Sequence, residues 1–232
     1  SVLDHTDSLC QLIEETPVTV DEWDKQKEVF RNHEQANDIE LGFAFFFLNR
    51  TNRSGILNAG VIGGRAQTGQ WKIDARYNKQ ELISRIRKIA SMRSRVELTM
   101  MDAQKFLAEK GPEWKSNTLV YIDPPYYEKG RYLYYDAYDP GDHKSISDSI
   151  LSLKNVSWIV SYDDVRPIHD LYQDAPWLQY TLNYSARNTL RGREAMFFSQ
   201  GLIVPDVPPP LVEIDRDISA TPRPVKRRQF AA

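Results

Sequence analysis

The stretch LVYIDPPYYEKG, residues 119–130, places an acid, two prolines and two tyrosines directly after a short apolar run. An apolar run that meets turn residues predicts a buried strand ending at Asp123. Pro124 and Pro125 have no N–H group, so the turn presents carbonyl oxygens, and Asp123 adds a carboxylate. These acceptors suit an amino group with two hydrogens, and the ring of Tyr126 suits a planar partner. The pattern therefore indicates a pocket for a nucleobase with an exocyclic amine, turned out of its stack.

One contiguous part of the chain is strongly basic. Residues 50–95 contain eleven lysines and arginines against two acids, Asp74 and Glu81, which gives a local charge of +9. The remainder holds 19 basic and 30 acidic residues, a balance of −11, so the whole chain has a net charge of only −2. A segregated basic segment favours a surface that binds a polyanion, and a solvated helix face is the plainer alternative.

The composition is that of a globular protein. The 232 residues are 41% hydrophobic, enough for one well-cored domain with a small inserted subdomain. No apolar run approaches the roughly 20 residues of a membrane span, and residues 1–13 do not resemble a signal peptide. We therefore expect a cytoplasmic protein without membrane contact. The sole cysteine, Cys10, excludes an intramolecular disulfide and a cysteine metal cluster, so we interpret it as a core residue and expect no metal.

The N-terminal part of the chain predicts helices around a long loop. Thr19, followed three residues later by Glu22, has the pattern of a capping box and predicts a helix start. Residues 39–48 predict a buried helix, and residues 79–93 an amphipathic basic helix. The glycine-rich stretch 56–71 has no helical period and predicts a loop or a hairpin.

Strand and helix patterns alternate after this region, which predicts an α/β fold with a doubly wound sheet. Ligands of such sheets bind beyond the carboxyl ends of the strands, where Asp102, Asp123 and the segment SYDD (161–164) are expected. The predicted strands are RVELTMMD (95–102), TLVYIDPPY (118–126), VSWIVSYDD (156–164), WLQYTLNYSA (177–186) and EAMFFSQGLIV (194–204), the last two as a candidate hairpin. The predicted helices are residues 103–111, 141–153 and 165–172.

The DPPY turn after an apolar strand, preceded in the chain by FFFLNRTNRSG (residues 45–55), resembles the Dam-like adenine-N6-specific DNA methyltransferases. The resemblance covers residues 41 to about 204. It implies a doubly wound, Rossmann-like sheet that binds S-adenosylmethionine, with an inserted helical and hairpin subdomain that recognises double-stranded DNA. It also implies direct transfer of a methyl group to the N6 amine of a flipped-out adenine.

The resemblance gives each residue of the turn a role. Asp123 and the backbone carbonyl of Pro124 would accept the two hydrogens of the target amine. Pro125 would shape the turn, Tyr126 would stack on the flipped adenine, and Tyr127 would flank it. The SYDD segment resembles the part of the family that closes the catalytic pocket.

For the cofactor, the resemblance implies that Asp102 lies near the adenine of S-adenosylmethionine, with Thr99 and Met100 just before it. Asp123 would lie beside the same cofactor. The alternative role of Asp102 is to cap the helix that begins at Ala103, and the two roles are compatible.

For DNA, the resemblance implies a set of residues that either face the nucleic acid or brace the recognition loop, namely Asn49, Arg50, Asn52 and Arg53. Arg65, Gln67 and Lys72 would belong to a hairpin that enters a groove. Arginine commonly pairs with guanine and glutamine with adenine, although most basic residues in such regions contact phosphate. In the last predicted hairpin, Arg187, Arg191 and Arg193 are further candidates for DNA contact.

Three regions follow from these assignments. Residues 1–94 would be the helical and hairpin target-recognition region, residues 95–204 the catalytic α/β core, and residues 205–232 a Pro-rich, basic and disordered tail.

The sequence departs from the family in lacking its glycine-rich S-adenosylmethionine loop, since no glycine occurs before Gly42. We therefore interpret the chain as a portion that begins after the first two strands of the family. A separate chain or segment would then supply the loop. The alternatives to a DNA methyltransferase are a nucleic-acid-binding fragment without catalysis and an RNA adenine-N6 methyltransferase.

Overall fold

The computed structural model describes residues 1–128, 130, 138–182, 192–207, 209 and 211–218. The chain divides into two compact units, residues 1–99 and residues 100–232. This division falls close to the boundary expected after residue 94. It does not set the C-terminal tail apart from the α/β unit.

The first unit is helical. α3 packs against both α1 and α2, and α1 also packs against α4. Leu9, Phe47 and Ile86 belong to one buried hydrophobic cluster in this unit, which also contains Cys10, as expected of a core residue. The helices are α1 (Thr6–Glu15), α2 (Val20–Arg31), α3 (Asp38–Thr51) and α4 (Lys79–Ala90), with 3-10 turns at His33–Gln35, Arg53–Gly55 and Arg93–Arg95.

Local side-chain caps fix where these helices begin. The side chain of Thr19 accepts a hydrogen bond from the Glu22 N–H at 3.1 Å, so the predicted start of α2 is confirmed. At α3, Asn37 and Glu40 form a reciprocal capping box. Each such cap typically contributes about 1 kcal/mol, because it satisfies an N–H group that has no partner within the helix.

The stretch between α3 and α4 is a loop, as the glycine-rich sequence predicts. Residues 56–71 form successive turns, and the one strand-like pairing in this stretch is an isolated antiparallel bridge between Asn52 and Val61. The hairpin alternative is therefore not formed here. Gly63 and Gly64 have positive φ angles of +81° and +74°, which glycine adopts without a steric penalty.

The second unit contains a mixed sheet of five strands in the order β1-β2-β4-β3-β5. β1 and β2 are parallel, and the other neighbouring pairs are antiparallel. β3 and β4 pair as expected of the predicted hairpin. The strands are β1 (Leu119–Ile122), β2 (Ser157–Asp163), β3 (Trp177–Leu182), β4 (Arg193–Phe198) and β5 (Leu211–Asp217).

Three helices cover one face of this sheet: α5 (Ala103–Lys110), α6 (Pro140–Leu151) and α7 (Arg166–Leu171). Leu107, Ile146 and Ile168, one from each helix, join a single buried cluster. Val160 and Phe197, which are direct neighbours across β2 and β4, belong to the same cluster. The α/β class is thus observed. A second helical layer, which a doubly wound sheet requires, does not occur among the described helices of this unit and stays a prediction.

The strand predicted over residues 95–102 is wrong. Residues 96–101 have no regular structure, and Leu98 and Met100 are 81% and 103% exposed. Their apolar alternation suits a sheet, but β1 pairs with β2 alone among the described strands, so no neighbour satisfies the backbone of this segment.

The disorder predicted from residue 205 onward is wrong for β5. Leu211–Asp217 pairs antiparallel with β3, on the side that β4 leaves open. The prediction of disorder rested on the proline-rich stretch before this strand. The next residues, LVEIDRD, alternate apolar and charged side chains, which is typical of an edge strand. The final part of the predicted tail, residues 219–232, lies outside the described residues.

Candidate functional site

The acid of the DPPY turn lies at the carboxyl end of β1. The Asp123 carboxylate is exposed, whereas Pro124 directly after it is buried. Among the described residues, no hydrogen bond uses the carbonyl of Pro124 or Pro125. The corner therefore combines one accessible carboxylate with two backbone acceptors that have no partner in the described ranges, and the prolines themselves offer no N–H donor.

A serine of the neighbouring strand orients this carboxylate. The Ser161 hydroxyl donates a hydrogen bond to Asp123 Oδ1 at 2.7 Å. The Tyr121 hydroxyl lies 2.8 Å from the same Ser161 oxygen. Because Ser161 has one hydroxyl hydrogen and gives it to Asp123, Tyr121 is the donor to Ser161. The parallel pairing of β1 and β2 brings these three side chains together, with Tyr121 directly opposite Ile159.

A buried aspartate bonds to the backbone N–H groups that follow the prolines of the DPPY turn. Asp163, at the end of β2, accepts hydrogen bonds from the backbone N–H groups of Tyr127 at 2.8 Å and Glu128 at 2.9 Å. One carboxylate oxygen serves each N–H group. Within the SYDD segment, Ser161 thus bonds to the acid and Asp163 to the backbone of the turn, and the expected closing of a catalytic pocket by this segment stays a prediction.

A buried glutamate holds the ring expected to stack on a base. The Tyr126 hydroxyl donates to Glu194 Oε1 at 2.9 Å, and the Tyr180 hydroxyl donates to Glu194 Oε2 at 2.7 Å. Burial, together with the bond to Glu194, raises the pKa of Tyr180 well above its ordinary value, so this phenol remains a donor. Sequence reasoning missed Glu194, although a charged residue at the start of the apolar strand EAMFF is a usable signal.

Aromatic rings pack behind the turn around a buried histidine. The ring centroids of Tyr127 and His143 are 4.9 Å apart, and His143 Nδ1 lies 3.1 Å from the Tyr162 hydroxyl. Burial lowers the pKa of His143, against the opposing effect of Asp163 and other nearby acids. His143 is therefore a neutral packing residue near neutral pH. The sequence assigned no role to any histidine.

A cleft of about 270 Å³ adjoins the corner. Residues of α5, β1 and α6 line it, together with Asp123 and Tyr138. Asp102 caps α5 by accepting from the Lys105 N–H at 3.0 Å, which confirms the capping role. Burial is the main cause that raises the pKa of the cleft residue Tyr138, and the charge of Asp102 raises it further. The remaining lining residues are Ala103, Phe106, Leu107, Val120, Tyr121, Ile122, Pro124, Pro125 and Ile146.

This cleft fits part of S-adenosylmethionine. Pockets for molecules of that size usually span about 300–1,000 Å³, so the described residues provide room for a portion of it. The lining is mostly apolar, with aromatic rings suited to a flat nucleoside base and the Asp123 carboxylate suited to a cationic sulfonium. Thr99 and Met100, also expected near the cofactor, lie on the exposed segment 96–101.

The stretch between α3 and α4, which is expected to recognise DNA, is held together by the buried side-chain amide of Asn52. Asn52 is fully buried, donates to the carbonyls of Ile56 and Leu57 at 2.9 and 2.8 Å, and accepts from Trp23 Nε1 at 2.6 Å. Of the two roles expected for Asn52, the structure shows bracing, because a buried side chain has no surface to offer DNA. Arg76, which sequence reasoning missed, donates to the Asn52 carbonyl at 2.7 Å.

Two further residues expected at DNA also brace the loop. The Gln67 amide donates to the carbonyls of Ile62 and Gly64 at 2.9 and 2.6 Å and accepts from the Ile73 N–H. In this structure the donors and the acceptor of the Gln67 amide are occupied inside the loop, and a contact of Gln67 with DNA stays a prediction. Asn49 donates to the Gly55 carbonyl at 3.1 Å.

The basic residues of this segment differ in how free they are. Arg65 forms a bidentate ion pair with Asp24 at 2.7 and 2.8 Å, and Lys72 donates to the Gln67 carbonyl. Arg50 is half-buried and bonds to Asn49, whereas Arg53 is exposed. Arg193 is exposed at the start of β4, and Arg187 and Arg191 lie outside the described residues.

Two general features of the described ranges bear on the class of site. No group of three or more His, Cys, Asp or Glu side chains in them is arranged to hold a metal ion. None of the helices in these ranges has the length and apolar character needed to cross a bilayer.

Comparison with known families gives one match over most of the chain. The family model described as D12 class N6 adenine-specific DNA methyltransferase matches residues 4–186, which include both the recognition loop and the DPPY corner. No curated protein matched the chain. Since the match spans most of the sequence, the chain belongs to the D12 class of N6 adenine-specific DNA methyltransferases.

Proposed function

We propose that the DPPY corner binds a flipped-out adenine of duplex DNA and directs its N6 amine to the methyl group of S-adenosylmethionine. The single observation that carries this proposal is the exposed Asp123 carboxylate, held by Ser161 beside two prolyl carbonyls that accept no hydrogen bond from the described residues. The target amine has two hydrogens, and this corner offers the acceptors for both.

The chain's own residues would act by orientation and electrostatics. When bound, S-adenosylmethionine supplies an electrophilic methyl group. The amine of adenine is a weak nucleophile, because its lone pair is conjugated with the ring. Asp123 and the Pro124 carbonyl would hold the two N–H bonds, so that the lone pair points away from the ring plane. Asp123 would also stabilise the positive charge that develops on this nitrogen, an effect commonly worth about two to three orders of magnitude in rate.

The aromatic residues would hold the base itself. Tyr126 would stack on the adenine, and Tyr127, packed on His143, would close the other side of the corner. The cleft lined by Phe106 and Tyr138 would hold the nucleoside part of the cofactor, next to Asp102. Thr99 and Met100 remain proposed neighbours of the cofactor.

The first unit would bind the DNA. Its segment 50–95 carries the charge excess of +9, and Arg53, Arg65 and Lys72 are exposed residues of it, Arg65 in an ion pair with the exposed Asp24. We propose that these three residues contact DNA phosphates or base edges, on a loop made rigid by Asn52 and Gln67. We further propose that a segment outside this chain supplies the glycine-rich cofactor loop. The protein would act in the cytoplasm.

The test is methyl transfer from labelled S-adenosylmethionine to mixed-sequence duplex DNA and to RNA, followed by nucleoside mass spectrometry. The chain is assayed alone and joined to the N-terminal segment of a close relative. N6-methyladenine in DNA supports the proposal, and its appearance in RNA alone favours the RNA methyltransferase. Absence of methylation in both assays, with salt-sensitive DNA binding retained, would favour a binding fragment.

A further inference from the structure

Glu194 lies against the proposed base-binding ring, yet no step described above uses it. Its side chain is buried, with 8% of the residue exposed, and it accepts hydrogen bonds from two phenols. One phenol belongs to Tyr126 of the corner and the other to Tyr180 of β3. A carboxylate in such a position is costly to bury unless each oxygen has a donor.

We propose that Glu194 is a positioning residue, which fixes the ring of Tyr126 in the orientation that receives the target adenine. This inference rests on the proposed function, because it assigns Tyr126 the stacking role. Glu194 itself does not touch the base or the cofactor in this arrangement.

The geometry of the tyrosine supports this role. The hydroxyl lies on the long axis of the ring, at the end farthest from the backbone. At the other end, the Tyr126 carbonyl accepts from the Gly130 N–H at 3.0 Å, and the next residue, Tyr127, is held through its N–H by Asp163. With both ends anchored, the ring is ordered before a base arrives, so that stacking does not have to supply the entropy of ordering it.

Tyr180 completes the arrangement. It donates to the second oxygen of Glu194, so the carboxylate has one phenol on each side. Asp163 lies directly opposite Glu194 across β2 and β4, which adds a second negative charge nearby. The two phenols therefore give each oxygen of Glu194 a donor and fix the orientation of its side chain.

The first experiment is a double-mutant cycle with Glu194→Gln, Tyr126→Phe and the double variant, in the chain joined to the N-terminal segment of a close relative. Glutamine keeps the shape of Glu194 but has one acceptor oxygen, and phenylalanine keeps the ring but removes the tether. We expect each single variant to lower kcat about tenfold, with DNA affinity close to wild type. The double variant should stay within about twofold of either single one.

The matched control is Glu213→Gln. Glu213 lies on β5 opposite Tyr180, and its side chain bonds to Arg216 on the same strand. The substitution Glu213→Gln should leave kcat unchanged. Additive losses in the double variant, or a wild-type kcat in Glu194→Gln, would show that Glu194 does not act through Tyr126.

The second experiment does not depend on turnover. The chain is labelled with 3-fluorotyrosine, and its fluorine NMR spectrum is titrated with adenosine, with Tyr126→Phe identifying the signal of Tyr126. We expect adenosine to shift that signal in wild type, and to shift it several-fold less in Glu194→Gln. An equal shift in both proteins overturns the positioning role alone. A wild type that neither responds to adenosine nor methylates adenine overturns the proposed function, and the inference with it.

Discussion

Asp163 of β2 and Glu194 of β4 stand directly opposite each other in the antiparallel pair, and both carboxylates hold the DPPY turn. Like charges placed opposite in a sheet repel each other. Here each carboxylate receives two donors, N–H groups at Asp163 and phenols at Glu194. Two neighbouring strands thus supply separate supports for one turn, one for its backbone and one for its ring.

Asp123→Asn should abolish most methylation without loss of DNA binding. Asparagine keeps the size of the side chain but removes the charge that would stabilise the amine, so we expect kcat to fall by about two to three orders of magnitude. Single-turnover methylation and salt-dependent DNA binding measure the two effects. Asp148→Asn, on the exposed face of α6, is the control and should retain full activity. A comparable loss of DNA affinity in Asp123→Asn would contradict the assigned role.

Asp163→Asn should weaken the turn. The amide has one acceptor oxygen for two backbone N–H groups, and its NH2 group faces one of those donors. We expect a loss of about 2 kcal/mol in the free energy of unfolding, measured by urea denaturation. Asp164 is the comparison residue, because it bonds to His169 and Gln179 instead of the turn. Asp164→Asn should therefore leave the backbone of the DPPY turn in place. An unchanged free energy of unfolding in Asp163→Asn would contradict the role of Asp163 in holding this turn.

Gly63→Ala and Gly64→Ala form a matched pair in the recognition loop. Both glycines have positive φ, so each alanine carries a backbone penalty of about 1–2 kcal/mol. A Cβ atom at Gly63 would also lie 2.7 Å from the Trp71 carbonyl, whereas one at Gly64 meets nothing within 4 Å. Gly63→Ala should therefore lower the melting temperature more than Gly64→Ala. Equal effects would argue against this packing of the loop.

Arg53→Ala should weaken DNA binding for all sequences alike. Arg53 is exposed within the basic segment, and we expect it to contact a phosphate. Loss of one such contact lowers the slope of log affinity against log salt by about one. Fluorescence anisotropy with mixed-sequence duplexes at several salt concentrations measures this slope. Lys144→Ala, on α6, is the control, and a slope equal to wild type in Arg53→Ala would exclude a phosphate contact.

His143 should make stability depend on pH. Burial lowers its folded-state pKa below the ordinary value of 6.5, so the unfolded chain binds a proton more readily than the folded one. The stability that the neutral, buried His143 contributes to the folded state is fully present above pH 6.5. It is lost as the pH falls from 6.5 through the folded-state pKa. Melting temperatures between about pH 7.5 and 5.5 should fall less steeply in His143→Gln than in wild type. His33→Gln, at an exposed position, should keep the wild-type slope, and identical slopes in all three proteins would contradict the prediction.

The sequence by itself determined the local features of this protein. Thr19 before Glu22 predicts the start of α2, and Asp102 before Ala103 predicts a helix cap. The two prolines after Asp123 predict a corner of backbone acceptors, which accept no hydrogen bond from the part of the chain described. All three depend on residues within one or a few positions of each other, so the pattern along the chain already contains the interaction.

Tertiary structure decided which residues support the site. Glu194 lies 68 positions from Tyr126, and Asp163 lies 36 positions from Tyr127, so neither pairing is visible as a local pattern. The same holds for β5, whose charged alternation becomes a strand because β3 has an open edge to pair with. Residues 95–102 have a comparable alternation but no strand beside them in the part of the chain described. A strand needs a partner for its backbone hydrogen bonds, and only the folded chain supplies one.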